Sequence, residues 1–342
     1  MRTKPVQCGF RSALAAASLL MATSPVWATE AGFRQFDASA QGRIQEAIHV
    51  ALFYPTQDSA RAIAMGPFTP TVAINGKPDA SVKGLLLLTH GTGGTELGHH
   101  SLAQALARNG YLVAAMRHPG DNWQDQSLLG VPGGYYFSER PRQASRVIDA
   151  ILLDPEWTAR IKVDAHGPRV GAVGHSAGGY TVLALAGGVP DLARIASHCK
   201  TDSNDPIFCS MGRRGTNAAT AKISFEGLQD ARVRAVAALA PASVMFSAQS
   251  LATIGIPATV YAGDKDTFLV PRYHAEWVRQ NVAKVAYHAV PNAGHYAFMD
   301  TPSMPIPSPD GDLRANPEGL DRSAFQKQLA TELNRFFDSA LQ

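Results

Sequence analysis

The sequence lacks any run of about 18 consecutive apolar residues, the length at which a segment becomes a candidate membrane-spanning helix. It also lacks a strong charge of either sign. Its 31 basic and 28 acidic residues give a formal net charge of +3, and no basic patch is interleaved with aromatic residues. These absences give no reason to predict a membrane span or a nucleic-acid partner. The 342 residues are 45% hydrophobic and 17% charged, which is an ordinary globular composition. The length allows one large α/β domain or two small ones, and the motifs described below favour one domain because they span most of the chain.

The first 28 residues have the pattern of a secretory signal peptide. They open with three basic residues, which are Arg2, Lys4 and Arg11. An apolar stretch covers residues 13–22, and Ala28 supplies the small residue that precedes a cleavage site. We therefore expect cleavage before Thr29 and an exported mature chain of residues 29–342, in the periplasm or outside the cell. A buried N-terminal helix is the alternative. Removal of the peptide leaves 28 basic and 28 acidic residues.

Cysteine is scarce, with three residues in the chain. Cys8 lies in the predicted signal peptide, and Cys199 and Cys209 are ten residues apart. A nearby pair in an exported protein predicts a disulfide. The alternatives are two buried free thiols or half of a metal site, but the spacing is not C-x-x-C and no matching pair exists elsewhere.

The most informative motif is Gly174-His175-Ser176-Ala177-Gly178. Residues 169–173 before it have the apolar character of a buried strand, and residues 180–186 after it indicate a helix. A serine at a sharp turn between a strand and a helix is typical of a nucleophile elbow, in which glycines permit close backbone approach. The motif predicts Ser176 as a nucleophile and the Ala177 N–H as an oxyanion donor. A glycine turn that holds an anion at a helix N-terminus is the alternative.

Three further features follow predicted strands in chain order. The strand at 84–89 runs into His90-Gly91-Thr92-Gly93-Gly94, which matches the H-G-G-G type of oxyanion loop. This loop predicts a second oxyanion donor, with Thr92 favoured over Gly91. The strand at 257–263 is followed by Asp264 and Asp266, and the strand at 284–290 by His295. Solvated loop carboxylates and a surface histidine are the alternatives, but the order Ser, Asp, His is that of the α/β-hydrolase triad.

On these motifs the chain resembles the α/β-hydrolase superfamily. More closely it resembles the bacterial group called predicted dienelactone hydrolases, whose sequences are similar to platelet-activating-factor acetylhydrolases. The resemblance covers roughly residues 40–340. The stretches that carry it are 88–94, 114–122, 174–179 and 238–241. It implies an α/β fold with a mostly parallel central sheet flanked by helices. Hydrolysis by a Ser-His-Asp triad requires no metal or organic cofactor.

The resemblance also bears on individual residues. In many superfamily members the acid is the second Asp of a Gly-x-x-Asp turn, which implies Asp266 rather than Asp264. The family's Gly-His pair corresponds to His295. True dienelactone hydrolases use cysteine as the nucleophile, whereas this chain has Ser176, which favours ordinary ester hydrolysis.

Segment 191–228 interrupts the alternation of strands and helices and is too long for a simple connection, so we predict a lid or cap there. Residues 44–54 indicate the first strand, residues 121–140 an irregular loop, and residues 142–153 a helix. Apolar residues at helical spacing predict a terminal helix that packs one face on the sheet: Phe325, Leu329, Leu333, Phe336 and Phe337.

Aromatic residues near the predicted triad suggest an apolar or aromatic ester as the small-molecule substrate. Phe268, Tyr296 and Phe298 flank the triad in sequence, and a possible wall or lid is formed by Trp123, Tyr135, Tyr136 and Phe137. Positions in the core are the alternative for these side chains. The histidines at 90, 99, 100 and 118 raise a metal site as an alternative, but His99 and His100 are adjacent and would point to different faces of a helix. His90 opens the oxyanion loop, and we expect it to be a structural anchor there.

The leading functional prediction is a secreted serine carboxylesterase. A lipase, acetylhydrolase or polyester depolymerase could use the same triad, as could an amidase or peptidase. A non-catalytic binding protein with the same fold is the alternative from another class. The oligomeric state is not predicted.

Overall fold

In the computed structural model, residues 1, 29–39, 46–131, 134–202, 204–215 and 223–342 are described. The predicted signal peptide lies outside the described residues apart from its first position, as do positions 203 and 216–222 of the predicted lid. No helix in the described part of the chain is long and apolar enough to cross a membrane.

A large twisted sheet organises the described residues. It contains ten strands, which in chain order are β1 (Glu30–Ala38), β2 (Ile48–Thr56), β3 (Arg61–Ala62), β4 (Thr71–Ile74), β5 (Leu85–Thr89), β6 (Leu112–Met116), and, after a short pair, β9 (Val170–His175), β10 (Val233–Leu239), β11 (Ala258–Gly263) and β12 (Val285–Val290). The short pairs are β7 (Val163–Asp164) with β8 (Gly167–Pro168), and β13 (Pro307–Ser308) with β14 (Gly311–Asp312).

The spatial order of the sheet is β12-β11-β10-β9-β5-β6-β2-β1-β4-β3. The six strands from β12 to β6 are parallel to their neighbours, whereas β2 pairs antiparallel with both β6 and β1. The carboxyl ends of the parallel strands therefore meet at one edge, which is where ligands bind in open α/β sheets.

Helices cover both faces of this sheet. They are α1 (His100–Arg108), α2 (Tyr135–Leu153), α3 (Pro155–Thr158), α4 (Ala177–Leu185), α5 (Leu192–Thr201), α6 (Pro206–Gly215), α7 (Ala248–Ala252), α8 (Ala275–Asn281) and α9 (Arg322–Ala340). Short 3-10 helices occupy Ser127–Gly130, Pro271–Tyr273 and His295–Phe298. The predicted α/β-hydrolase architecture is confirmed.

Alternation along β5 shows how the sequence builds two core layers. Leu85 and Leu87 pack with α2 and α4 on one face, while Leu86 and Leu88 pack with α1 and α9 on the other. A parallel strand that is buried on both faces needs apolar residues at every position, and all five β5 residues are buried. The terminal helix forms as its spacing predicts, and Leu329, Leu333 and Phe337 are buried against the sheet.

The irregular loop predicted for 121–140 is wrong in its last part, because α2 begins at Tyr135 and contains Pro141. Proline has no N–H to bond the carbonyl four residues earlier, and that carbonyl belongs to Phe137. The Tyr180 hydroxyl donates to it instead, at 2.7 Å. A residue distant in sequence therefore satisfies the carbonyl that Pro141 leaves free.

The N-terminal strand predicted at 44–54 begins later in the structure, and it has a partner strand that the sequence did not predict. The structure places β2 at Ile48–Thr56 and adds an unpredicted partner, β1, at Glu30–Ala38. The two strands pair antiparallel from Glu30 opposite Thr56 to Ala38 opposite Ile48. Pairing across the connecting segment decides these boundaries, and a local pattern does not contain it.

Candidate active site

Ser176 lies at a strained turn between β9 and α4. Its backbone has φ 58° and ψ −117°, a conformation that non-glycine residues rarely adopt. The flanking glycines are required by space. A Cβ at Gly174 would lie 2.0 Å from the Gly178 carbonyl oxygen, and a Cβ at Gly178 would lie 2.1 Å from that of Thr89. The turn therefore has the shape of a nucleophile elbow, with the serine at its apex.

Asp266 and His295 form a buried pair at the same edge of the sheet. Asp266 follows β11, His295 follows β12, and the Asp266 Oδ2 atom lies 2.8 Å from His295 Nδ1. The other carboxylate oxygen accepts the backbone N–H groups of Phe268 at 2.9 Å and Leu269 at 2.8 Å. Asp264 is exposed to solvent. The structure therefore brings Asp266, and not Asp264, to the imidazole.

The His90–Gly94 loop packs directly on the elbow. A Cβ at Gly91 would lie 3.0 Å from the Ser176 Cβ. The backbone N–H groups of Gly91 and Thr92 donate to no group among the described residues, and Ala177 begins α4 beside them. The Thr92 hydroxyl lies 2.6 Å from the Tyr136 hydroxyl. The loop thus borders the serine, as the sequence predicts for an oxyanion loop.

A cavity of about 680 Å³ opens over these groups. Ser176 and His295 line it, and so do the three predicted substrate contacts, Trp123, Phe268 and Tyr296. Phe268 stacks on the His295 ring with centroids 4.6 Å apart. Among the described residues, the lining contains no Asp, Glu, Lys or Arg side chain.

Two of the aromatic residues expected at the cavity lie elsewhere. Phe298 is buried and packs against Phe325 at 5.4 Å, because its 3-10 helix turns it toward α9. Tyr135 does not line the cavity, whereas Tyr136 and Phe137 do. The first turn of α2 points only part of this aromatic run inward.

A sequence model described as the alpha/beta hydrolase family matches residues 85–304, which include the elbow, the loop and the acid–histidine pair. The chain belongs to the alpha/beta hydrolase family. The predicted membership is therefore confirmed.

Solved structures agree with this hydrolase fold. A ferulic acid esterase from Streptomyces cinnamoneus is similar with a TM-score of 0.61 and 18% identity, over 93% of this chain and 92% of that one. A dienelactone hydrolase from Anabaena variabilis ATCC 29413 is similar with a TM-score of 0.50 and 13% identity, over 91% of this chain and 99% of that one. At these identities the likeness shows the fold. No curated protein sequence matches the chain.

Helices α5 and α6 of the hydrolase border the cavity within the segment predicted as a lid or cap. Ile195, Phe208 and Met211 contribute to the cavity wall. The two helices are joined by the predicted Cys199–Cys209 pair, whose sulfur atoms are 1.98 Å apart. Within the described residues, His198, Cys199 and Cys209 are the one cluster of three or more side chains whose ligand atoms lie close enough together to hold a metal ion. A disulfide offers no thiolate for a metal.

Several histidines are buried behind the serine, and sequence reasoning predicted a structural role for His90 alone. The His175 ring lies 4.8 Å from that of His295 and 5.3 Å from that of His99, and His90 lies 5.1 Å from His118. His90 Nε2 accepts the His118 N–H at 3.1 Å, so the proton of neutral His90 is on Nδ1, which donates to the Gly91 carbonyl at 2.6 Å. The H-G-T-G-G motif was the available signal for His90.

Burial keeps these imidazoles neutral. Desolvation, assisted by the nearby Arg140 charge, lowers the pKa of His90 to about 4 despite the opposing charges of Asp121 and Glu96. Desolvation also lowers the pKa of His99 to about 3, with His90 and Arg322 acting in the same direction. The pKa values of His118 and His175 are likewise well below the ordinary value, chiefly through burial.

We predict that these histidines make the hydrolase sensitive to acid. An unfolded histidine protonates below about pH 6.5, whereas folded His99 stays neutral to about pH 3, so its contribution is complete above pH 6.5 and falls as the pH decreases. The loss is ~1.4 kcal/mol per pH unit for such a group. Between pH 7 and pH 5 the free energy of unfolding of His99→Met, measured with denaturant, should therefore fall by ~2 kcal/mol less than that of the wild type.

The control for this prediction is His166→Gln, because His166 is exposed. That variant should lose as much unfolding free energy between the two pH values as the wild type. An unchanged loss in His99→Met would contradict the assignment.

Proposed function

We propose that the protein is an exported serine hydrolase that cleaves neutral apolar or aromatic carboxylic esters. The observation that carries this proposal is the buried Asp266–His295 pair, at 2.8 Å, whose imidazole lines the same cavity as Ser176 at the strained elbow. A serine, an imidazole and a carboxylate that orients it are the parts of a nucleophilic acyl-transfer site. A binding protein would not need the strain at Ser176.

In the proposed first half-reaction, the Ser176 Oγ attacks the ester carbonyl and its proton passes to His295 Nε2. Asp266 holds the Nδ1 proton, which fixes the tautomer and stabilises the imidazolium that forms. The tetrahedral oxygen carries a negative charge. In this scheme the N–H groups of Ala177 and Thr92 donate to it, with Gly91 as the second candidate of the loop. Collapse of the intermediate breaks the ester bond, and His295 returns the proton to the leaving alcohol.

The second half-reaction repeats these steps with water. His295 removes a proton from water as its oxygen attacks the acyl-enzyme carbonyl, and the same N–H groups hold the second oxyanion. Collapse releases the carboxylic acid and returns the proton to Ser176. The scheme uses side chains, backbone N–H groups and water.

The cavity lining supports a neutral substrate. Its aromatic walls, Trp123, Phe268 and Tyr296, offer apolar contact, and the described lining has no charged side chain to pair with an ionised acyl group. Burying an unpaired carboxylate is costly. Lipase, acetylhydrolase and depolymerase activities use the same chemistry and differ in acyl length, so a series of p-nitrophenyl esters separates them.

We predict that kcat/KM for p-nitrophenyl butyrate exceeds that for the p-nitrophenyl monoester of succinic acid by about 100-fold. The two acyl chains have similar length, and the second carries a carboxylate that must lose its hydration. The measurement is initial rates corrected for spontaneous hydrolysis. Equal values would contradict the neutral substrate class, and no turnover of any activated ester would contradict the esterase proposal.

We also propose that residues 1–28 are a signal peptide and that residues 29–342 form one hydrolase domain with a cap at 191–228. The first strand begins at Glu30, directly after the proposed cut, and the Cys199–Cys209 pair suits an oxidising compartment. N-terminal sequencing of the exported protein should begin at Thr29. A start at Met1 would contradict processing.

A further inference from the structure

A buried ion pair lies beneath the His90–Gly94 loop and outside the cavity lining. Arg140 projects from α2 and Asp121 from the segment after β6, and both side chains are 0% exposed. The Arg140 Nη1 donates to Asp121 Oδ2, its Nη2 donates to the His90 carbonyl oxygen, and its Nε donates to the Thr181 hydroxyl at 3.1 Å. The guanidinium therefore has a different partner on each of its three nitrogens.

This pair holds the loop at both of its ends. Arg140 binds the carbonyl of His90, the first residue of the loop, and Asp121 Oδ1 accepts the N–H of Gly93 at 2.9 Å. Gly91 and Thr92, the two candidate oxyanion donors, lie between these anchors. Gly93 has φ 66°, a left-handed conformation in which the Asp121 contact fixes its N–H.

The same pair reaches the other half of the oxyanion hole. Thr181, which accepts from Arg140 Nε, donates its own hydroxyl to the Ala177 carbonyl at 2.9 Å. Ala177 is the residue after the nucleophile and supplies the donor on the elbow side. Arg140 thus connects the two backbone segments whose N–H groups must converge on one oxygen.

Stability alone does not account for such a pair. Removing two charges from water is costly, and apolar residues of similar volume often give equal or greater stability at buried ion pairs. A loop with three glycines among five residues has many conformations available. Oxyanion donors are effective when they are fixed before the charge develops, which requires restraint of that freedom.

We propose that Arg140 and Asp121 are positioning residues that set the geometry of the oxyanion hole. This inference rests on the proposed esterase function. Neither side chain lines the cavity, so their effect reaches substrate through the groups they hold. These are the backbone of the loop and the elbow, and the cavity-lining Tyr136, whose ring centroid lies 5.7 Å from the Arg140 guanidinium carbon. Their removal should weaken binding of the tetrahedral state and leave binding of the neutral ester nearly unchanged.

The test is the double variant Arg140→Met/Asp121→Leu, which removes both charges and leaves neither buried alone. We expect kcat for p-nitrophenyl butyrate to fall about 100-fold, with KM within about 3-fold of the wild type, which is the scale of losing one oxyanion donor. Inhibition by a trifluoromethyl ketone, which forms a tetrahedral adduct, should weaken by a similar factor. The conservative variant Arg140→Lys should recover part of the loss, because it keeps the charge without the three-way fork.

The control is Arg234→Met/Asp164→Leu, which removes a partly buried ion pair of 2.9 Å near the opposite ends of β9 and β10, where Asp164 also pairs with Arg169 at 3.1 Å. This control variant should have the kcat and the ketone inhibition of the wild type, with a melting temperature similar to that of the Arg140/Asp121 double variant. If the Arg140/Asp121 double variant does not fold, Arg140→Lys and Asp121→Asn carry the same readouts. Unchanged kcat in folded variants, or a lower kcat with unchanged ketone affinity, would overturn the inference. An inactive wild type would instead overturn the proposed function.

Discussion

Replacement of Ser176 by alanine should lower kcat on p-nitrophenyl acetate and butyrate by about 10⁴- to 10⁶-fold, with KM changed little. The elbow places this hydroxyl at a strained apex beside a buried imidazole–carboxylate pair. Without the Oγ no acyl-enzyme can form, and the remaining acceleration comes from the oxyanion donors and from binding. The effect is the largest that a single substitution in this chain should produce.

The matched control is Ser210→Ala. Ser210 lines the same cavity from α6 but is exposed, and its hydroxyl donates to the Ile207 carbonyl at 2.8 Å. Its kcat should stay within about 2-fold of the wild type, as surface substitutions usually do. Equal rates for the wild type and Ser176→Ala, at matched circular dichroism, would show that another group is the nucleophile for these esters.

Asp266→Asn should be the second most damaging change, with a loss of about 10⁴ in kcat. An asparagine turned with its carbonyl toward the Phe268 and Leu269 N–H groups presents its NH₂ to His295 Nδ1. That NH₂ favours the tautomer in which Nε2 carries the proton and cannot accept one from serine. The measurement is kcat across pH 6–9, beside a melting curve that separates catalytic from structural loss.

Asp264→Asn is the internal control for this prediction. Asp264 lies two residues away but is exposed, so its variant should keep kcat within about 3-fold of the wild type. The reverse ranking of the two variants would refute the choice of Asp266 as the acid. Equal large losses would indicate that the turn, rather than one carboxylate, is what His295 requires.

The parts of the fold that sequence reasoning captured depend on local patterns in a fixed chain order. The apolar run of β5 and the glycine-flanked elbow are each encoded within a few residues. The spacing of Leu329 and Leu333 similarly encodes one face of α9. Because each site motif follows a parallel strand, the topology of the sheet brings them to the same edge without further information.

The parts that were missed depend on partners far away in the chain. The helix at Tyr135–Leu153 tolerates Pro141 because Tyr180 satisfies a freed carbonyl, and no window around Pro141 contains that residue. The Arg140–Asp121 pair was not predicted, because its partners also lie far away in the chain. An arginine is usually exposed to solvent, so the sequence does not predict that Arg140 is buried. Its burial is explained by its contacts with His90 and Thr181, which lie far away in the chain.

The histidines show the same limit in electrostatic terms. His99 carries no motif, and the elbow motif that contains His175 does not define the surroundings of its ring, yet both are buried behind the serine with strongly lowered pKa values. Their neutrality follows from desolvation, which depends on the complete packing of the sheet edge. The predicted acid sensitivity therefore depends on tertiary packing and is not encoded in any local stretch of sequence.

The most direct test of the proposed nucleophile is covalent trapping. The protein would be incubated with a p-nitrophenyl alkylphosphonate, which transfers its phosphonyl group to an activated serine and releases p-nitrophenol. The predicted result is one adduct per chain by intact mass, confined to tryptic peptide 170–194 at Ser176, with no adduct in Ser176→Ala. An adduct on another residue, or none on protein that hydrolyses p-nitrophenyl butyrate, would contradict the assignment of Ser176 as the nucleophile.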